Sequence, residues 1–542
     1  MLVADTDETL SYVFESNKLP EIRGASLQLD LLNKKIGNMV RDLGPDSHVI
    51  YAGGGSLLAE VSMAEAATLA TSIEAIYPAE TGAATITAAW RPLPPTEKAH
   101  YGEVVAWAGH WLRRRKEEKG ALPFFETLAH QKRCPSCQKR PASNRQPIPW
   151  CEVCHAKRQA QRRFTWFNIF TTFVDKETDL QKKYYGQHIT EADYPQDLTE
   201  LATASQGRRG YVAFLYFDGD NIGSLLQAAR TRQDYETLSR QLRQTTEKAV
   251  FTSLATHLHP TIVKGSASRA EVGQPQLEGQ DILIHPFEII TIGGDDVMLI
   301  VPAHVALPIA IQMGELFSEE LTTAVAKLGI KRDKPETMSG GIVIAESHTP
   351  IRILRDLSHQ LQDEAKKLVD GGLDFHILKS SDMPASKIET LRESFPYLLE
   401  KREKGKDLRL LARPYTYPRA RTLWQGLLAL EKDRFPTSQM HLLAESLLDG
   451  RASATLFYEY QKQRHQSRAA RESGPYATMQ QLLTDLPSNP SDGRPDASNP
   501  LPWYRARPDD SFLYTTSLWD IAELYDFVPG TILPDRKGNN DG

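Results

Sequence analysis

The sequence lacks the features of a membrane or exported protein. It has no run of about 18 consecutive apolar residues, which a transmembrane helix requires. Its first residues, Met1-Leu-Val-Ala-Asp-Thr-Asp-Glu8, are acidic and do not form the basic and apolar regions of a signal peptide. With 64 basic against 69 acidic residues, the chain is not a polycation that would bind nucleic acid as a whole. We expect a soluble, cytoplasmic protein of roughly three to four domains.

Cysteine is scarce, with four in 542 residues. The four form two Cys-x-x-Cys pairs, Cys134 with Cys137 and Cys151 with Cys154, separated by 13 residues. Paired thiolates at this spacing are typical of a Cys₄ zinc ribbon, in which four ligands leave no open position for catalysis. Disulfides are the alternative, which a reducing cytoplasm disfavours. The sequence therefore predicts a structural zinc ion.

The cysteine region is also locally basic. Between Lys132 and Arg163 there are nine lysines and arginines and one acidic residue. Such a cluster could face phosphate groups, and a solvated basic surface is an equal alternative.

An acidic turn between two apolar runs is the main functional candidate. In Phe287-Glu-Ile-Ile-Thr-Ile-Gly-Gly-Asp-Asp-Val-Met-Leu-Ile-Val-Pro302, the turn Gly293-Gly294 predicts a β-hairpin, and Asp295-Asp296 follow at its tip. Carboxylates beside apolar strands are costly unless a cation is present, and Mg²⁺ prefers carboxylate and phosphate oxygens. A magnesium site for a nucleoside triphosphate is one interpretation, and a solvated turn is the other.

A second acidic segment favours the metal site. Residues 210–217 predict a strand that ends in Asp218-Gly219-Asp220, and two helices separate it from the hairpin. In a βαββ sheet the first strand lies antiparallel to the third, so Asp218 would come next to Asp295 and Asp296. A later helix that begins at Ile351 ends near Lys366 and Lys367, which we regard either as triphosphate contacts or as solvated lysines.

The N-terminal residues repeat this plan without the acidic turn. We predict a strand over Ser11–Glu15, then a helix, a hairpin over residues 48–61, a helix and a strand. Gly53-Gly54 align with Gly293-Gly294, whereas Gly55-Ser56 replace the two aspartates. An internal repeat with one chemically inactive copy is the simplest interpretation.

The C-terminal part is expected to be helical. Apolar residues at helical spacing over residues 418–464 predict a small bundle, and residues 467–511 are rich in Pro, Ser, Asp and Arg, which is typical of partial disorder. We expect an α+β protein with two ferredoxin-like palm domains, a zinc ribbon and a C-terminal helical bundle. The predicted boundaries are 1–98 (inactive palm), 99–209 (helical region with the ribbon at 134–154), 210–400 (active palm), 401–470 (helical domain) and 471–542 (partly disordered tail).

This combination resembles the large polymerase-like subunit of type III CRISPR effector complexes. Glu21-Ile-Arg-Gly-Ala-Ser26 and Phe217-Asp-Gly-Asp-Asn-Ile-Gly223 also look like that family, and the resemblance covers roughly residues 10–465. It implies an antiviral defence enzyme that converts ATP to cyclic oligoadenylate when its complex holds target RNA. The partners would be ATP, the other effector subunits, guide RNA and target RNA.

The resemblance also implies roles for individual residues. Asp218, Asp295 and Asp296 would bind Mg²⁺ or Mn²⁺ as the catalytic carboxylates, and the four cysteines would bind Zn²⁺. The implied nucleotide contacts are Gly219, Asp220, Asn221, Gly293, Gly294, Lys366 and Lys367. Many family members begin with a nuclease domain built around a His-Asp pair, but no His-Asp dipeptide occurs in this sequence. We therefore do not expect this chain to cleave single-stranded DNA.

Two other functions stay open on the sequence. A stand-alone nucleotide cyclase of the diguanylate type shares the Gly-Gly-Asp hairpin, but it needs neither a zinc ribbon nor a second palm. A catalytically silent RNA-binding scaffold would have no use for three unpaired carboxylates, which are costly to bury.

Overall fold

The computed structural model is a mixed α+β protein with four β-sheets among its described residues. It describes residues 1–93, 100–119, 130–143, 148–161, 166–186, 192–271, 273–332, 334–379, 387–403, 406–466, 474–486, 503–505 and 512–530. Among these, no helix combines the length and apolar composition that crossing a lipid bilayer requires.

An N-terminal sheet has the strand order β2-β3-β1-β4, with neighbouring strands antiparallel. Its elements are β1 (Leu2–Asp7), α1 (Thr9–Val13), α2 (Leu19–Arg41), β2 (His48–Gly53), β3 (Ser56–Glu60), α3 (Met63–Thr81) and β4 (Thr85–Trp90). The βαββαβ order and this arrangement are those of a ferredoxin-like unit.

A helical region links this unit to the next. It contains α4 (Tyr101–Glu118), α5 (Glu152–Ala160), α6 (Trp166–Lys176), α7 (Thr178–Tyr185) and α8 (Leu198–Thr203). The second cysteine pair lies at the start of α5, with Cys151 as its N-cap residue and Cys154 in its first turn.

A central sheet has the order β8-β9-β5-β10-β11 and repeats the N-terminal pattern with one extra strand. Its unit comprises β5 (Tyr211–Gly219), α9 (Ile222–Gln227), α10 (Arg232–His257), β6 (Thr261–Lys264), α11 (Ala267–Glu271), β7 (Asp281–Ile284), β8 (Glu288–Gly293), β9 (Asp296–Pro302), α12 (Ala306–Lys327), β10 (Met338–Glu346), α13 (Ile351–Ala365) and β11 (Gly372–Ile377). As predicted, the strand that carries Asp218 lies antiparallel to the strand that begins at Asp296.

The central sheet is covered on both faces. Along β5, Ala213, Leu215 and Phe217 belong to a core shared with α10 and α12, whereas Phe214 and Tyr216 belong to a core shared with α13 and the N-terminal unit. Alternation of side chains along a strand explains this division. The N-terminal unit contributes residues to both cores, and Phe14 at the end of α1 packs against Phe214, with ring centroids 6.3 Å apart.

The predicted strand over Ser11–Glu15 is wrong. Residues 9–13 form α1, and the first strand is β1, in which Asp5 and Asp7 form ion pairs with Lys116. The acidic residues at the end of β1 make this segment look unlike a strand in the sequence. Their charges are balanced by Lys116, which lies in a helix more than 100 residues away. The apolar run after it is buried by packing of α1 on α2 rather than by strand pairing.

The C-terminal part differs from the predicted helical domain and tail. Residues 401–470 do contain α15 (Tyr417–Lys432), α16 (Thr437–Ser446) and α17 (Arg451–Gln466), preceded by α14 (Ile388–Arg392), but they begin within a hairpin of β12 (Leu398–Glu403) and β13 (Lys406–Arg409). Beyond them lie α18 (Pro475–Asp485), β14 (Tyr504–Arg505), β15 (Phe512–Thr515) and α19 (Leu518–Tyr525). The hairpin is completed by β15 and β14, which come about 100 residues later, so local patterns do not reveal the sheet.

The tail, which is predicted to be partly disordered, contains the packed helix α19. Asp520 of α19 is fully buried and accepts hydrogen bonds from the Tyr415 hydroxyl and from two backbone N–H groups, while Arg413 pairs with Glu523. Residues 487–502, 506–511 and 531–542 also belong to the tail that is predicted to be partly disordered, but they lie outside the described residues.

Candidate active site and metal centre

The three predicted carboxylates lie at one edge of the central sheet. Asp218 is the penultimate residue of β5, Asp296 begins β9, and Asp295 occupies the turn between β8 and β9. The pairing of Phe217 with Val297 brings the ends of these strands together. The sequence prediction that distant aspartates meet at this edge thus agrees with the strand order.

Glycines allow this close approach. A Cβ on Gly219 would lie 2.9 Å from Asp295 Cβ and 2.4 Å from the Ile222 side chain, so any other residue would displace the acidic turn. Gly294 has φ +77°, a conformation that glycine adopts without steric cost. Gly219 and Gly294 therefore shape the turn, whatever else they contact.

The two turn carboxylates are destabilised in their charged forms. Burial, and then repulsion from Asp218, raises the pKa of Asp295 to about 6. Burial, Asp218 and Asp295 together raise the pKa of Asp296 to about 7, although a hydrogen bond with Tyr216 opposes this shift. Asp296 Oδ1 is buried without a hydrogen-bonding partner. A cation would relieve both effects, because it neutralises the charge and occupies the unused oxygen.

Lys366 contributes a cation to the site. It lies at the C-terminal end of α13, and its ammonium group forms an ion pair with Asp218 Oδ2. Among the described residues, the four cysteines are the one group of three or more potential ligands whose ligand atoms lie within 4.8 Å of one another. The aspartate oxygens therefore lie farther apart than the cysteine sulfurs, and the Lys366 ammonium group already pairs with Asp218. The oxygen donors and the unsatisfied Asp296 atom nevertheless fit a divalent cation such as Mg²⁺.

Two cavities flank the carboxylates. The first, which we call the junction cavity, has a volume of about 120 Å³ and lies between the N-terminal unit and the β8–β9 hairpin, with Gly54, Gly55, Gly293 and Asp296 in its lining. The second, the basic cleft, has a volume of about 520 Å³ and is lined by residues that include Asp220, Asn221, Ser224, Lys331, Arg332, Lys334 and Lys366. Asp296 therefore borders the junction cavity, and Lys366, which pairs with Asp218, borders the basic cleft.

The residues predicted to contact nucleotide do not all line the same cavity. Asn221 and Lys366 line the basic cleft, and Gly293 lines the junction cavity. Asp220 also borders the cleft, but its carboxylate accepts hydrogen bonds from the hydroxyls of Thr337 (2.8 Å) and Ser339 (3.0 Å). Its role is thus at least partly to join β5 to β10. Lys367 is an exception, because it pairs with Glu364 and lines neither space.

The tips of the two glycine hairpins touch. A Cβ on Gly54 would lie 3.3 Å from the Cα of Gly293, and one on Gly293 would lie 3.6 Å from the Cα of Gly54. The aligned turns of the two units therefore meet backbone to backbone. This contact explains the paired glycines in both copies better than turn geometry alone.

One carboxylate remains in the N-terminal copy. Asp5 pairs in register with Ser56, which aligns with Asp296, so Asp5 corresponds to Asp218. It accepts hydrogen bonds from the Ser56 hydroxyl and from the Lys116 ammonium at 2.6 Å. The expectation that the carboxylates are gone from this copy therefore holds for the turn but not for the strand. The misplaced first strand concealed Asp5.

The Glu21–Ser26 segment joins three parts of the chain. Arg23 pairs with Glu288 of β8 and donates to Gln161 at 3.1 Å, while the Ser26 hydroxyl donates to the carbonyl of Ile290 at 2.7 Å. The other members face α5: Glu21 pairs with Arg158, and a Cβ on Gly24 would lie 1.7 Å from the Lys157 carbonyl oxygen. The segment can be recognised in the sequence, but its contact residues cannot, because they lie more than 100 residues away.

The four cysteines form a buried cluster of free thiols. Cys137 Sγ and Cys151 Sγ are 3.8 Å apart, which equals the edge of about 3.8 Å expected for a tetrahedron of sulfurs around zinc. Backbone N–H groups of Cys151 and Cys154 point to the sulfurs of Cys134 and Cys151. The cluster could hold a metal ion, and its donors fit zinc.

We predict that loss of one cysteine lowers stability. Cys134→Ser should remove most of the zinc, about one ion per chain, and lower the Tm by several degrees or more, because a closed Cys₄ site contributes folding energy. Elemental analysis and thermal unfolding measure both effects. Lys132→Ala, an exposed change nearby, is the control. A zinc-free wild type with an unchanged Tm would contradict the prediction.

The raised carboxyl pKa values predict a pH dependence of stability. Ionisation of Asp295 and Asp296 costs more in the folded state, so the free energy of unfolding should fall as pH rises from about 4 to about 7. Without added Mg²⁺, the Tm at pH 5.5 should exceed that at pH 8 by roughly 3–6 °C more in wild type than in Asp295→Asn/Asp296→Asn. Equal pH profiles for the two proteins would count against the shifts.

Comparison with known proteins identifies the central unit. Residues 211–374 match the sequence profile described as the second palm domain of Cas10/Cmr2. None of the curated proteins matches the chain by sequence.

Two solved structures, with TM-scores above 0.5, share the fold of this chain. A crystal structure of Csm1 in T. onnurineus is 14% identical with a TM-score of 0.52, over 90% of this chain and 69% of that one. The Csm1–Csm4 cassette in complex with cA4 is 12% identical with a TM-score of 0.51 and the same coverage. The cassette in complex with pppApA gives 14% identity and a TM-score of 0.44, over 69% of this chain and 53% of that chain. The predicted resemblance is confirmed for the central unit: residues 211–374 match the second palm domain of Cas10/Cmr2, and the chain shares its fold with Csm1.

Proposed function

We propose that this chain is the large subunit of a type III CRISPR effector complex and that it makes cyclic oligoadenylates from ATP when target RNA is bound. The observation that carries the proposal is the set of Asp218, Asp295 and Asp296 in a Cas10/Cmr2-type palm, with Asp296 Oδ1 buried and unpaired. A related Csm1–Csm4 cassette has been solved in complex with cA4, which supports this class of product.

The three aspartates would hold Mg²⁺ or Mn²⁺. Such an ion would lower the pKa of an attacking ribose hydroxyl and stabilise the negative charge that develops on the pyrophosphate leaving group. Tyr216 orients Asp296 by a hydrogen bond, and Lys366 balances the charge of Asp218. The protein supplies position and charge, and the reaction needs no side-chain nucleophile.

Two flanking spaces suit a reaction that joins two nucleotides. In the basic cleft, Lys331, Arg332, Lys334 and Lys366 would hold the triphosphate of the donor. The junction cavity would hold part of the acceptor, whose hydroxyl must face the donor's α-phosphate. The N-terminal unit, residues 1–98, would then be an inactive palm that provides one wall of the acceptor site.

The remaining regions of the chain would support the active palm and take no part in the reaction. The cysteine cluster would bind structural zinc within residues 99–209, and residues 210–400 would be the active palm. Residues 401–470 and the ordered parts of 471–542 would form a C-terminal domain. Guide RNA, target RNA and the other effector subunits would be the partners.

Incubation of the purified complex with ATP and Mg²⁺, with and without target RNA, tests the proposal. We expect RNA-dependent loss of ATP and cyclic oligoadenylate peaks on chromatography. Cyclic dinucleotide from GTP without RNA would instead indicate a diguanylate-type cyclase. RNA binding without any nucleotide product would indicate a silent scaffold. Either result would overturn the proposed function.

A further inference from the structure

Arg243 is a cation of the junction cavity to which the mechanism above gives no role. It projects from α10, the helix of the central unit that packs against both β2 and β8. Its Nη1 atom lies 3.8 Å from the position that a Cβ on Gly53 would take, so the guanidinium group lies beside the N-terminal glycine tip. Arg243 thus reaches from the active unit to the turn of the inactive one.

Three cations line this cavity, and each forms an ion pair with a carboxylate. Arg23 is buried in its ion pair with Glu288, and Lys34 pairs with Asp30. Arg243 uses Nε for Glu247 at 2.8 Å. Within the described part of the chain, neither of its terminal nitrogens has a hydrogen-bonding partner, and its side chain is 44% exposed. Arg243 therefore keeps an accessible pair of N–H donors that can bind an anion while its ion pair with Glu247 holds the side chain in place.

The size of the cavity indicates which part of a ligand meets Arg243. About 120 Å³ is well below the roughly 300–1,000 Å³ of a pocket that encloses a small molecule, so the cavity can enclose only part of a nucleotide. The rest must extend to the open rim, where a half-exposed arginine stands. The edge formed by the two terminal nitrogens of the planar guanidinium can donate two parallel hydrogen bonds to the oxygens of a phosphate group.

We propose that Arg243 binds a phosphate group of the acceptor nucleotide, the one held against the N-terminal glycine turn. This inference rests on the proposed function, because it assumes that two nucleotides bind around the carboxylates. It assigns Arg243 to the acceptor and leaves the donor triphosphate to the basic cleft. Arg243 is a binding residue and takes no proton in the reaction.

Nucleotide binding by the intact complex tests the assignment. The probe is an ATP analogue with a methylene group between the α- and β-phosphorus atoms, titrated calorimetrically with Mg²⁺ and target RNA. Wild type should bind two molecules per chain. Arg243→Ala should weaken one of the two by about 10- to 100-fold, the range for loss of a charge-assisted hydrogen bond, and leave the other unchanged. Arg243→Lys should recover only part of the affinity, because a lysine cannot form the two-pronged contact.

Arg240→Ala is the matched control, since Arg240 lies on the same helix, is exposed and contacts only its neighbour Thr237 among the described residues. Two unchanged binding events in a folded Arg243→Ala protein would overturn the assignment while leaving the proposed function intact. Weakening of both events alike would also overturn it, because Arg243 would then not distinguish acceptor from donor. A wild-type complex that binds no analogue would overturn the proposed function itself.

Discussion

Asp295→Ala/Asp296→Ala should lower RNA-stimulated nucleotide production by at least about 10³-fold. The change removes two of the three carboxylates proposed to hold the metal, and electrostatic stabilisation of this kind is usually the largest contribution to such a reaction. Chromatography of ATP reactions measures the loss. RNA binding should be preserved, because Asp295 lies in the turn and Asp296 at the first position of β9, at the edge of the sheet rather than in the centre of a strand.

Loss of activity by unfolding is separable from loss of the metal site. Both carboxylates are strained by burial and mutual repulsion, so their removal should not lower the Tm at pH 8. Asp363→Ala is the control, since Asp363 is an exposed carboxylate on nearby α13 and lies outside both spaces. Wild-type product from the double variant would refute the assignment of the active site.

Arg23→Ala should reduce the free energy of unfolding by about 3–5 kcal/mol, the cost of leaving one member of a buried ion pair without its partner. Glu288 is 1% exposed, and its pKa is raised by burial even with Arg23 beside it. Denaturant unfolding of the isolated chain measures the effect. Arg114→Ala, which breaks the exposed pair with Glu118, should change stability by less than about 0.5 kcal/mol.

The same variant should also lower nucleotide production. Arg23 fixes α2 to β8, the strand that leads directly to Gly293, so its loss should disturb the contact between the glycine tips. A displacement of about 1 Å can cost about 10²-fold in rate. Arg23→Met/Glu288→Leu should restore much of the stability, because apolar groups of similar size can replace a buried pair. If Arg23→Ala were as stable as wild type, the ion pair would not join the units as described.

The sequence predicted the active edge of the central sheet because the evidence there is local. Apolar runs, a Gly-Gly turn and adjacent acids determine a hairpin, and the strand order then brings Asp218 to it. The cysteine cluster followed from spacing in the same way. Residues whose partners lie far along the chain were beyond this reasoning. Arg23 with Glu288 and Asp5 with Lys116 become meaningful only when two units pack together.

The N-terminal strand shows a second reason for failure. β1 is short and ends in acids, so its pattern resembles a solvated terminus, while the more apolar residues after it belong to a helix. Tertiary packing decided between these segments, and intrinsic preference did not. Because of this error, the sequence did not reveal Asp5, the carboxylate that corresponds to Asp218.

The ion pair between Lys366 and Asp218 has a consequence for the order in which ligands bind. A divalent ion that arrives alone must displace an ammonium group and leave it without an anionic partner, which weakens the net affinity. An ion that arrives with a triphosphate offers the same ammonium a new partner. Binding of metal and of nucleotide should therefore be mutually reinforcing, and by thermodynamic linkage each should increase the affinity of the site for the other to the same extent.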